Sequence, residues 1–143
     1  MNPMLRGCFL GLSMGTRAND IIRSVMEGVA FALREAMETC LQITPEPNIW
    51  IASGGGTQSR IWMEILADVL DQPIYISRVE ENAAVGAAVT AGVGAGVYNN
   101  LKEGCEEVIS YQPEPFVPNP ERVKRYEELY QIFIESYSSN KKK

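Results

Sequence analysis

The sequence contains no histidine among its 143 residues. That removes the commonest general base and the commonest transition-metal ligand from its chemistry. Cysteine is scarce too: Cys8, Cys40 and Cys105 are scattered and odd in number. They have no metal-binding spacing and no disulfide framework, so they read as inert thiols in a reducing cytoplasm. Basic residues are outnumbered, 13 against 18 acidic, for a net charge of −5. This excludes a general electrostatic attraction for nucleic acid. The N-terminus, "MNPMLRGCFLGLSMG", has one basic residue and no long apolar core, so no signal peptide is expected. No apolar run is long enough for a bilayer either. The best candidate, "AAVGAAVTAGVGAGVY" from Ala83 to Tyr98, falls short of the ~20 residues a span requires. Its small residues fit a helix lying very close to a neighbour.

What remains is an ordinary globular composition, 45% hydrophobic and 22% charged, in a chain whose length suits one domain. Arg17 to Leu41 reads as a long helix. Its apolar stripe comprises Ile21, Ile22, Val25, Met26, Val29, Leu33 and Met37, with Thr16 or Asn19 as the cap. "TPEP", from Thr44 to Pro47, ends it. Asn48 to Ser53 is a short buried strand, and Arg60 to Leu70 a second helix carrying Ile61, Trp62, Ile65, Leu66, Val69 and Leu70 on its apolar positions. Pro73 to Ser77 is a second strand, and Glu81 or Asn82 opens the small-residue helix. Pro113, Pro115, Pro118 and Pro120 mark an extended linker. Asn119 and Pro120 form the N-cap and first position of a last amphipathic helix with Val123, Tyr126, Leu129, Tyr130, Phe133 and Tyr137. The tail "SSNKKK" is expected to be disordered. Helix, strand, helix, strand, helix implies an α/β layer with at least two adjacent parallel strands.

The chemistry points to "IWIASGGGTQSR", Ile49 to Arg60, where an apolar strand ends in three glycines and a helix follows. Strand, glycine turn, helix is the geometry of anion and nucleotide sites, because glycine admits φ > 0 and leaves the backbone bare. The loop lacks the Walker Gly-Lys-Ser/Thr ending and does not match G-x-G-x-x-G. Two uses stay open: a tight turn, or a place where a ligand meets the backbone. Gln58 and Ser59 can hydrogen-bond a base or ribose, or cap the helix, and Ser59 taken alone suits capping. Elsewhere the charges look structural. Arg23 and Glu27 pair four residues apart, Asp20 and Asp68 sit on helices, and Glu35/Glu38, Glu80/Glu81 and Glu106/Glu107 suit solvated faces. There is no persuasive nucleophile, metal cluster or acid/base pair.

Four stretches then line up in order: "NPMLRGCFLGL", "IIRSVMEGVAFALRE", "IWIASGGGTQSRIWMEILADVLDQPI" and "ENAAVGAAVTAGVGAGVY". Together they resemble the C-terminal domain of the FGGY carbohydrate kinases, over nearly the whole chain. The resemblance implies an α/β domain of the actin-like, ribonuclease-H-like ATPase class, incomplete at its N-terminal strands. It implies a C-terminal core over residues 1–112, the proline-rich linker over 113–120, a helix over 121–138 and a disordered tail over 139–143. In the family this domain is one wall of a cleft and holds the adenosine of ATP. Carried over, Gly54, Gly55 and Gly56 are the glycine motif, Ser59 the polar residue near the adenine, and Gln58 its neighbour. Ala83, Gly86 and Ala87 would pack their helix against this layer.

The whole enzyme is expected to use ATP with Mg²⁺ to phosphorylate a sugar. Xylulose comes first, with gluconate or another sugar or polyol as the alternative. No catalytic or metal-binding residue is expected in this chain, since the sugar site and catalytic aspartate of the family lie mainly in the N-terminal half. The chain alone is expected to be inactive and to self-associate through an open sheet edge and an uncovered apolar face. A non-catalytic nucleotide-binding or interaction module is the other reading. The setting expected is cytoplasmic, without nucleic-acid or membrane partners.

Overall fold

The computed structural model describes residues 7–79 and 81–140. The order is α1 (Ala18–Leu41), β1 (Trp50–Ala52), a 3₁₀ turn (Gly55–Gln58), α2 (Arg60–Leu70), β2 (Ile74–Ile76), α3 (Asn82–Gly94), α4 (Leu101–Val108) and α5 (Pro120–Asn140). The chain forms two compact units. One takes the described residues of Met1–Glu46, Asp68–Asp71 and Pro118–Lys143, the other Pro47–Ala67 and Gln72–Val117.

In the first unit α1 meets α5 around Phe31. Its ring lies 6.1 Å from Tyr126, 5.8 Å from Tyr130 and 5.6 Å from Phe133. Each such pair adds about 0.5–1.5 kcal/mol beyond area burial. Charged groups flank this centre and satisfy both phenols. The Tyr126 hydroxyl donates to Glu27 (2.8 Å) and accepts from Arg23 (2.7 Å), while Tyr130 donates to Glu38 (2.8 Å). Arg34 bonds Glu38 and, across to α5, Glu127 at 2.7 Å, and its guanidinium stacks 4.1 Å over the Tyr130 ring. Arg34 holds the Glu127 carboxyl below the usual carboxylate range, with help from Gln131. Asp68, 1% exposed, accepts from the Asn119 amide at 2.7 Å and pairs with Arg122. It is structural, as is Arg23–Glu27 at 2.8 Å.

Several local expectations change here. The N-cap of α1 is Arg17, not Thr16 or Asn19, and its amide donates to Asp20 at 2.9 Å. The Thr16 hydroxyl instead accepts from the Ser13 amide. Of the stripe expected to be core, Ile21, Ile22, Val25, Val29 and Leu33 are exposed, and the buried positions are Ala30 and Phe31. The physical reason is that α5 brings aromatic rings, which take Phe31 and its polar neighbours on the opposite face. Asn119 does cap α5, accepting from Glu121 and Arg122 amides at 3.0 and 3.2 Å. That helix runs to Asn140, so the first part of the tail expected to be disordered is helical, and residues 141–143 lie outside the described residues.

In the second unit β1 and β2 pair in parallel, Trp50 with Ile74 and Ala52 with Ile76. The stretch from Tyr111 to Phe116, which includes the first part of the proline-rich segment, runs antiparallel along β2: Phe116 and Ile74 exchange both backbone bonds, and the Gln112 amide reaches Ile76. Tyr75 and Tyr111 meet edge to face at 5.0 Å. Helix α3 closes with a Schellman motif. Val97 and Gly96 amides reach back to Gly92 and Val93, and Gly96 takes φ +76°. Helix α4 is capped by Asn100, whose side chain accepts from the Glu103 amide at 3.0 Å, while the Glu103 carboxylate accepts from the preceding Asn99 amide at 2.7 Å. Tyr98 is wedged between the two helices at two glycines. A Cβ on Gly92 would come within 2.8 Å of its ring, and one on Gly104 within 2.7 Å of Val89 and 2.8 Å of Tyr98. The close helix packing expected of the small residues is therefore real, but Ala83, Gly86 and Ala87 do not carry it. These three are exposed, and Gly86 has open space beside it, because Val85, Val89 and Gly92 form the packed face. Among the described residues no helix is long and apolar enough to cross a membrane.

Candidate functional site: a glycine turn at the sheet end

Parallel pairing places the C-terminal ends of β1 and β2 at the same edge, joined by the Ser77 amide donating to Ala52 at 2.8 Å. The crevice outside the carboxyl ends of strands is where open α/β sheets bind ligands. Here β1 runs into Ser53 and the three glycines. Gly54 adopts φ +84°, ψ −178°, a region essentially confined to glycine. Its carbonyl accepts from both the Thr57 amide (3.1 Å) and the Thr57 hydroxyl (2.8 Å), which locks the turn. The Ser59 amide then reaches the Gly56 carbonyl at 3.1 Å, and α2 starts at the next residue.

The three glycines have three different causes. Gly54 is required by its backbone angle. Gly56 lies under Trp62, where a Cβ would sit 3.2 Å from the indole nitrogen. Gly55 has neither reason: its φ is not positive and a Cβ there would meet nothing within 4 Å. It leaves a strip of bare backbone open to solvent, just before the N-terminus of an 11-residue helix whose dipole favours negative charge.

Gly54, Gly55, Gly56, Gln58 and Ser59 are thus brought together on one exposed turn. Ser59 also caps α2, its hydroxyl accepting from the Trp62 amide at 3.3 Å. Thr57 and Trp62 were not singled out from sequence as parts of this turn. The signal for Thr57 is a hydroxyl three residues after a glycine, and that for Trp62 is a bulky ring in the first turn of α2. The groups with shifted pKa values lie on α1 and α5, at Arg23, Arg34, Tyr126, Glu127 and Tyr130, and no group of three or more Cys, Asp or Glu able to hold a metal occurs among the described residues.

This fold is that of the actin-like ATPases. Residues 1–95 match the FGGY family of carbohydrate kinases, C-terminal domain, and the chain belongs to that family. It is 31% identical over 137 residues to the xylulose kinase of Lactococcus lactis, covering 94% of this chain and 27% of that protein. It is 32% identical over 126 residues to the glycerol kinase of the same organism, covering 87% of this chain and 25% of the relative. The crystal structure of xylulose kinase from Rhodospirillum rubrum superposes with a TM-score of 0.82 at 33% identity, over 96% of this chain and 28% of that one. The chain therefore spans about a quarter of the length of the relatives it matches.

Proposed function

We propose that this chain is the adenine-nucleotide wall of an ATP-dependent sugar kinase acting in the cytoplasm. Gly54, Gly55 and Gly56 would offer their backbone to the adenosine and phosphates, with Ser59 and Gln58 beside the base or ribose. The observation that carries this reading is Gly55, a glycine that neither the turn nor the packing requires. Its open strip would let an adenine nucleotide approach the backbone without meeting a side chain at that position. ATP supplies the phosphoryl group when bound. The described residues provide no carboxylate cluster for Mg²⁺, so no step is assigned to the metal on this chain. Xylulose is the sugar favoured by the relatives named above, and gluconate or another sugar or polyol is the alternative.

Phosphoryl transfer depends on positioning and charge stabilisation around the γ-phosphate. The chain alone is expected to bind nucleotide without sugar-dependent ATP turnover, and to self-associate. The test is titration with Mg²⁺–ADP followed by backbone amide NMR. Saturable shifts centred on Gly54 to Ser59 are expected, and a folded chain with no shifts there overturns the nucleotide reading. Measurable sugar-dependent turnover by this chain would overturn the assignment of catalysis to residues outside it.

A further inference from the structure

The peptide unit between Gly54 and Gly55 is held at one end and free at the other. Its carbonyl, from Gly54, accepts from the Thr57 amide at 3.1 Å and from Thr57 Oγ1 at 2.8 Å. Its N–H, from Gly55, meets no acceptor among the described residues. Gly55 is exposed, and a Cβ there would have open space around it. A trans peptide is planar, with C=O and N–H pointing in opposite directions, and no peptide bond among the described residues is cis. Drawing the Gly54 carbonyl toward Thr57 therefore turns the Gly55 N–H away from Thr57, to the open side of the turn. Thr57 is half-buried between exposed neighbours, and its hydroxyl is committed to this bond.

We propose, resting on the nucleotide reading above, that Thr57 is a positioning residue of this site: its hydroxyl fixes the Gly54–Gly55 peptide plane so that the Gly55 N–H donates to a phosphate oxygen. Thr57 itself touches no part of the ligand. The two glycines do little to steady the plane, since neither has a side chain and glycine has the widest backbone freedom. The main-chain bond from residue 57 is open to any amino acid but proline. The second bond, from the hydroxyl, is what threonine adds. A solvent-facing N–H without an internal partner suits an ionised oxygen, because charge-assisted hydrogen bonds are roughly twice as strong as neutral ones. The N-terminus of α2, which begins at Arg60, favours the same charge.

The test compares ADP and adenosine binding by the full chain, followed by amide NMR. Thr57→Val removes the hydroxyl at nearly constant shape. It should weaken ADP binding about tenfold, the weight of one hydrogen bond to a charged group. Adenosine, which has no phosphate, should bind the variant as it binds the wild type. Thr57→Ser should restore the affinity for ADP. The Gly55 amide should move downfield with ADP in the wild type and the serine variant, and far less in the valine variant. If Thr57→Val fails to fold, Thr57→Ala removes the same hydroxyl and is read in the same way. A folded wild-type chain that takes up no ADP overturns the nucleotide reading, and the role of Thr57 with it. A wild type that binds ADP, with Thr57→Val binding equally well, overturns the role of Thr57 alone. So does an equal loss for ADP and adenosine, which marks a merely loosened turn, a serine variant as weak as the valine one, or an ADP complex in which the Gly55 amide does not move.

Discussion

The Trp62 indole lies directly over Gly56, so near that a methyl group there would sit 3.2 Å from Nε1. One glycine of the turn is therefore committed to packing, while its neighbour Gly55 is not. Alanine replacements should separate the three. Gly54→Ala should cost about 1–3 kcal/mol, because only glycine occupies its backbone region. Gly56→Ala should displace Trp62 and shift tryptophan fluorescence. Gly55→Ala should leave the thermal midpoint unchanged or slightly raised and weaken ADP binding. Loss of stability at Gly55 would show that the turn needs that glycine after all.

Helices α3 and α4 offer an opposed pair. Gly104→Ala would gain about 1 kcal/mol of helix propensity. It would also drive a methyl into Val89 and the Tyr98 ring, at a typical overpacking cost of about 1–3 kcal/mol. Because the ring is held against Gly92 as well, overpacking should win and the variant should melt lower. Gly86→Ala meets no neighbour, so propensity alone acts and the midpoint should rise. Calorimetry of both variants checks the assignment of the packed face.

Asp68 ties the end of α2 to the start of α5 through Asn119 and Arg122. Asp68→Ala should lower stability by about 2–3 kcal/mol, since it removes hydrogen bonds to a cation and strands a part-buried amide. The residual Arg122 charge is half exposed, which keeps the loss below that of a fully buried ion pair. Denaturant unfolding of the variant measures it.

Alkaline pH should loosen α1 from α5. Burial, followed by the bond to Glu27, pushes the Tyr126 phenol from 10.0 up to about 12, against the opposing effect of Arg23. The unfolded chain loses this proton near pH 10, whereas the folded chain holds it to about 12. This contribution to stability is thus complete below pH 10 and disappears as pH rises through about 12. Burial and Glu38 raise the Tyr130 phenol in the same direction. The thermal midpoint should fall across that window. Tyr126→Phe should flatten part of the fall, and Tyr130→Phe should act in the same direction.

Much of this was legible in the chain because it is local. The bounds of α2 follow from apolar periodicity, and the start of α5 from Asn119 before Pro120. Both short strands were found within a residue or two of their observed ends. Helix α4 was missed: it is short and acidic, and its cap Asn100 was the available signal. The site residues were visible as a glycine cluster, but not the separate cause of each glycine, which depends on a backbone angle and on where the Trp62 ring lands.

The sequence by itself determined the family, through the order and spacing of four motifs, and the elements, through periodicities of the backbone itself. Only the tertiary structure decided which faces are used. Helix α1 presents aliphatic residues on one side and Phe31 on the other, and a periodic pattern cannot say which side finds a partner within this chain. The aromatic face won because α5 supplies Tyr126, Tyr130 and Phe133 to meet it, leaving Ile22, Val25, Val29 and Leu33 exposed.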